Sequence, residues 1–203
     1  MKKIFLLLII VSILITGCGG PRMQVDPAWV DAPENISVLM SAPYVKNMDD
    51  VNDDFSTEDI FKTWLLDYMD ETFNLKSVSN ATVKMVDDSL FIMQSMLLGN
   101  GYVNVPLPNA ENNSRVSGIV LSLHPINFWR DSKPCLGNGG CINNHYLGAS
   151  LLYSIVSVEN GKVLAYGVAY DESSFTFAMT KGNWEGVVKG LVNKVLEKTP
   201  LEK

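Results

Sequence analysis

Hydrophobic and polar positions fall into short blocks with different periods. Ile36-Ser37-Val38-Leu39-Met40 is a brief apolar run halted by Pro43, which predicts a strand. Phe61, Trp64, Leu65, Tyr68 and Met69 recur every three or four residues, so they predict a helix with one buried stripe. Ser56 with Asp59 three residues later supplies a capping box for its start. Ala81 to Val86 is short and strand-like. From Ser89 to Leu98 the residues Leu90, Phe91, Met93, Met96, Leu97 and Leu98 leave little polar face. That density predicts a second helix, capped by Asp87 or Asp88, stopped at Gly99-Asn100-Gly101 and buried or held at an interface. Tyr102 to Val105 then forms a strand leading into Pro106.

The second half changes to a period of two. Ser117 to His124 places Ile119, Leu121 and Leu123 on one strand face. Pro125 to Tyr146 reads as a long loop. Ala149 to Val158 and Lys162 to Tyr170 flank Glu159-Asn160-Gly161, and Asn-Gly between apolar runs predicts a hairpin, because both residues tolerate positive φ. Phe175 and Phe177, on either side of Thr176, extend a strand pattern. Asn183 opens a helix with Trp184, Val187, Val188, Leu191 and Val195 on one side and Pro200 beyond its end. The expected fold class is α/β (α+β): a single mixed or antiparallel sheet, amphipathic helices packed on one face, and a C-terminal hairpin followed by a helix.

The first eighteen residues carry an address. Lys2 and Lys3 precede an apolar run, Ile4 to Ile15, that is twelve residues long and broken only by Ser12. It suits a secretory leader. A membrane-spanning helix takes about twenty residues. Leu14-Ile15-Thr16-Gly17-Cys18 resembles the lipobox of bacterial lipoprotein precursors. The resemblance implies cleavage before Cys18, a diacylglycerol on its sulfur and a further acyl chain such as palmitate on its amine. Two or three chains make attachment effectively permanent. Gly19, rather than Asp, after the cysteine implies the outer membrane of a double-membrane host, with the domain facing the periplasm. The expected organisation is a signal peptide over 1–17, a lipidated flexible tether over 18–35, where Pro21, Pro27 and Pro33 interrupt any period, and one domain over 36–203. Such a tether would hold the domain about 20 Å from the bilayer.

Charge narrows the partners. Losing Lys2 and Lys3 with the leader moves the formal charge from −6 to −8, which argues against nucleic acid. Of three cysteines, lipid takes Cys18, leaving Cys135 and Cys141 for a disulfide across a five-residue, glycine-rich loop. In the chain-entropy model so small a loop contributes about 2 kcal/mol. Cys141 with His145, and His124 returning in space, is a metal alternative, but the C-x5-C-x3-H spacing matches no common zinc pattern. Asp49, Asp50, Asp53, Asp54, Glu58 and Asp59 invite calcium, yet they lack the spacing and glycine of an EF-hand loop and suit a helix start better. His124 with Asp131 orienting it is the best candidate for a general base, and no nucleophile motif accompanies it. The expectation is therefore no catalytic residue, no cofactor and no metal.

The element order, with helix, Gly101-Tyr102-Val103-Asn104-Val105 strand, then a hairpin around Asn160-Gly161-Lys162-Val163-Leu164, resembles small bacterial envelope lipoproteins. Their α/β domains relate to the N-terminal domain of TolB and include CsgG-like and YajG-like members. The likeness spans residues 36 to 198 and lies in pattern rather than in a specific motif. It implies a non-enzymatic protein-interaction or envelope-assembly module, acting on an envelope partner or as a homo-oligomer. The alternative is a lipid-binding accessory of an envelope transporter, with an apolar pocket beneath the methionine-rich segment. A hydrolase is the third reading.

Overall fold

A computed structural model describes residues 22–47, 49–109, 118–133, 144–176 and 178–203. In chain order the elements are β1 (Met23–Val25), β2 (Asn35–Ser41), β3 (Tyr44–Val45), α1 (Asp49–Phe55), α2 (Glu58–Lys76), β4 (Asn80–Val86), β5 (Phe91–Leu98), β6 (Gly101–Pro108), β7 (Ile119–Lys133), β8 (Asn144–Ser157), β9 (Lys162–Phe175) and α3 (Lys181–Leu196). The main sheet runs β1-β9-β8-β7-β2-β4, with β3 also on β7. It is mixed: β2 lies parallel to β4 and β7, while β7, β8, β9 and β1 are antiparallel. This is the expected α/β architecture, with α2 and α3 packed on one face.

The helix-side core follows from side-chain periods. α2 buries Phe61, Leu65, Met69, Thr72 and Phe73, and α3 buries Trp184, Val187, Val188, Leu191, Val192, Val195 and Leu196. They meet Ile36, Val38 and Met40 of β2 and Leu121 and Leu123 of β7 in one cluster. Trp184 lies at its centre, with ring centroids 4.9 Å from Phe61, 5.4 Å from Phe128 and 5.8 Å from Phe55. Its indole N–H donates to Asp54 Oδ2 at 3.0 Å, so the buried polar atom is satisfied. Asp54 is thus tied to the core, and the acidic run expected at a helix start contributes the short helix α1 and the first turn of α2.

Several expected boundaries move. Thr57, not Ser56, caps α2: its hydroxyl accepts the Ile60 N–H at 3.3 Å, while Ser56 takes φ 65° at the turn between α1 and α2. The loop expected over 125–146 is largely ladder, since β7 and β8 stay paired out to Lys133 and Asn144. A bulge between Leu123 and Ile126 absorbs Pro125, which has no N–H to give the ladder. The Asn160-Gly161 hairpin forms as expected, with Gly161 at φ 66°.

Part of the segment 18–35, expected as a flexible tether, is docked on the domain. β1 pairs with β9, Met23 opposite Gly167 and Val25 opposite Ala165. Asp26 accepts an ion pair from Lys162, which holds its carboxyl below the usual carboxylate range. Met23, Val25, Trp29 and Ala32 pack against the main core. Three prolines conceal this docking, because they remove period without removing the apolar residues between them. Cys18, Cys135, Cys141 and Phe177 lie outside the described residues, and with them the lipidation and disulfide expectations.

Candidate interaction surface

The second sheet face is covered by a hairpin rather than a helix. Ser89 to Leu98, expected as a helix, is a single turn of 3₁₀ helix at Asp88–Leu90 followed by β5. Asp87 does cap that turn, its side chain accepting the Ser89 N–H at 2.9 Å. Beyond it β5 pairs with β6 from Phe91↔Pro108 to Leu98↔Gly101 around a two-residue turn with Gly99 at φ 61°. A segment apolar on nearly every position does not discriminate a period of two from 3.6, and here pairing with Gly101–Pro108 decides.

The hairpin is seated on the sheet at its base and along β6. Phe91 packs with Leu39 of β2 and Val120 of β7 in a second, smaller core cluster. Val105 is fully buried, and the buried Ser154 hydroxyl donates to the Pro106 carbonyl. Near the turn, the Tyr166 hydroxyl donates to the Leu97 carbonyl at 2.5 Å. On the outer side Met93, Leu97 and Tyr102 are 42%, 55% and 79% exposed. Leu97 and Tyr102 face each other across the hairpin. No methionine-rich helix exists to roof a lipid pocket, since Met93 points outward from a strand.

His124 sits under the same hairpin. Its ring stacks on Phe91 with centroids 5.0 Å apart, and its Nδ1 lies 3.6 Å from Asp88 Oδ1, too far for a hydrogen bond. Asp131, the expected orienting residue, is further along β7 and accepts the Tyr146 hydroxyl at 3.4 Å instead. The pair required of a general base is therefore not assembled. His145 stacks on Phe175 with centroids 5.7 Å apart, placing it at the far end of β8. Among the described residues no three His, Cys, Asp or Glu side chains converge as a metal site.

No protein-family model matches the chain, and no curated protein does. Among solved structures it is similar to the PelC dodecamer from Paraburkholderia phytofirmans, at 13% identity and TM-score 0.40, covering 91% of this chain and 100% of that one. It is also similar to a minor lipoprotein from Acinetobacter baumannii, at 11% identity and TM-score 0.35, covering 80% of this chain and 88% of that one. Likenesses at this level assign neither family nor function.

Proposed function

We propose that this is a lipid-anchored envelope protein, held by acylated Cys18 at the outer membrane of its host, whose α/β domain is a non-enzymatic docking module for an envelope protein. The observation that carries the docking role is the outward apolar row of Met93, Leu97 and Tyr102, which share one face of the β5–β6 hairpin. Exposed apolar residues gathered on one element mark interaction sites more often than scattered ones do. The lipobox-like Leu14 to Cys18 supports the anchor. The partner's chemistry follows from the row: an apolar protein surface able to take an aromatic ring beside a leucine.

Two variants separate anchor from docking. Cys18→Ser is expected to leave the membrane fraction for the soluble one. Leu97→Ser combined with Tyr102→Ser is expected to keep membrane attachment and thermal stability while losing a protein that crosslinks to the parent in intact cells. Retention of that crosslink by the double variant removes the hairpin from the docking surface. Wild-type behaviour of Cys18→Ser in fractionation removes the lipid anchor.

A further inference from the structure

The docked β1 fixes where an anchor must sit. Val168 donates its N–H to the Arg22 carbonyl at 2.9 Å, and β1 runs antiparallel to β9, so Arg22 lies at the end of β1 nearer Tyr170. Arg22 places its guanidinium 6.0 Å from the Tyr170 ring centre, in the same direction. Only Gly19, Gly20 and Pro21 separate Arg22 from Cys18. Four residue steps reach at most about 14 Å.

That reach excludes an upright domain. Phe175 is seven residues beyond Val168 on β9, about 23 Å along an extended strand. Standing on that end, the domain would have to sink its tip about 9 Å below the anchored cysteine. Standing on the Asn160-Gly161 end fails in the same way, since Lys162 lies six residues, about 20 Å, from Val168 in the other direction. Edge-on, with β1 and β9 toward the lipid and β4 away from it, keeps the cysteine within reach of the bilayer.

The chemistry of this edge agrees with its geometry. Arg22, Met23, Val168, Tyr170, Lys194, Glu197 and Lys198 line a cleft of about 220 Å³ where β1, β9 and the C-terminal turn of α3 meet. Three cations face one anion there in a chain of net charge −6. Glu197 is shared at 3.9 Å by both lysines, and Lys194 also lies near Asp171. Asp171 and Glu172, next along β9, and Asp26, paired with Lys162, are further acids on this side; Asp171 is turned against Gly190 of α3.

We propose that the β1–β9 edge with its Arg22–Lys194–Lys198 cleft is the membrane-facing side, and that phosphate groups of bilayer lipids occupy the cleft while the domain lies edge-on. The inference rests on acylation of Cys18. It adds a defined lower surface and, on the other side of the molecule, a β4 edge turned toward solvent.

The test places a photo-crosslinking benzoylphenylalanine at Lys194, or at exposed Lys84 on β4 as the control, in the full-length lipidated protein. Each form is illuminated in vesicles of phosphatidylethanolamine and phosphatidylglycerol. Phospholipid adducts at position 194 and none above background at position 84 are the expected result. Equal or reversed adducts in protein that sediments with the vesicles overturn the orientation and leave the anchor standing. Protein that fails to sediment overturns both, and Cys18→Ser provides the baseline for that outcome.

Discussion

At the scale of the residue, two side chains illustrate how burial is offset or left standing. Trp184 fills the centre of the helix-side core and hands its one polar atom to Asp54. Trp184→Ala is expected to cost about 3–5 kcal/mol by cavity formation. Asp54→Ala, which strands the indole N–H, should cost about 1–3 kcal/mol, both read by denaturant unfolding. Asp171 is the opposite case. Burial raises its pKa; the Glu172 N–H and Lys194 pull it down, and the Glu172 carboxylate pushes it up. A raised folded pKa means the native state holds its proton longer than the unfolded chain, whose value is about 3.9. Stability therefore falls as pH rises from that value through the folded one, and the deficit is complete above it. Asp171→Asn is expected to melt higher than the parent at neutral pH, with the gap closing on acidification toward the unfolded value. A gap that widens on acidification would contradict this account. Tyr170 beside it is pushed up to about 12 by burial and by its 2.8 Å hydrogen bond to Glu172, so it stays neutral across that range.

At the scale of the element, β1 and the β5–β6 hairpin are the parts that pattern reading misplaced. β1 depends on Gly167, where an added Cβ would collide with the Arg22 carbonyl and come within 2.9 Å of Met23 Cα. Gly167→Ala is expected to undock β1 with little effect on β7 and β8, seen as faster amide exchange confined to residues 22–26. Uniform protection would show that the strand tolerates the methyl. The legible elements were those with one period and one face: α2 and α3 from their stripes, β7 from Ile119, Leu121 and Leu123, and the β8–β9 turn from Asn160-Gly161. The hairpin was illegible as a strand pair because Leu90 to Leu98 is apolar on both faces, and its partner strand is broken by Pro106 and Pro108. The candidate surface is half legible: the segment is expected to be buried or at an interface, but as a helix, which would display other residues. A loop after Pro125 would let Asp131 fold back to His124, whereas in one continuous strand β7 the two stand seven positions apart.

At the scale of the whole molecule, the proposed acylation of Cys18 would make a short linker and a docked β1 into an orienting device. Inserting a flexible Gly-Ser segment between Gly20 and Pro21 is expected to leave sedimentation unchanged while abolishing the difference in lipid adducts between positions 194 and 84. The opposite sheet edge is closed from within: Asp70 and Asn74 of α2 accept the Val83 and Ala81 N–H groups at 3.0 and 2.9 Å, so β4 offers fewer free donors to a passing strand. Between those edges, β2 separates the two hydrophobic clusters: Ile36, Val38 and Met40 serve one face and Leu39 the other. A slip of one position would carry Ser37 and Ser41 into the aromatic interior and three large side chains under a hairpin built for one. A strand with unequal demands on its two sides thus proofreads its own alignment, and a chain refolding from denaturant is driven to a single pairing of β2 with β4 and β7.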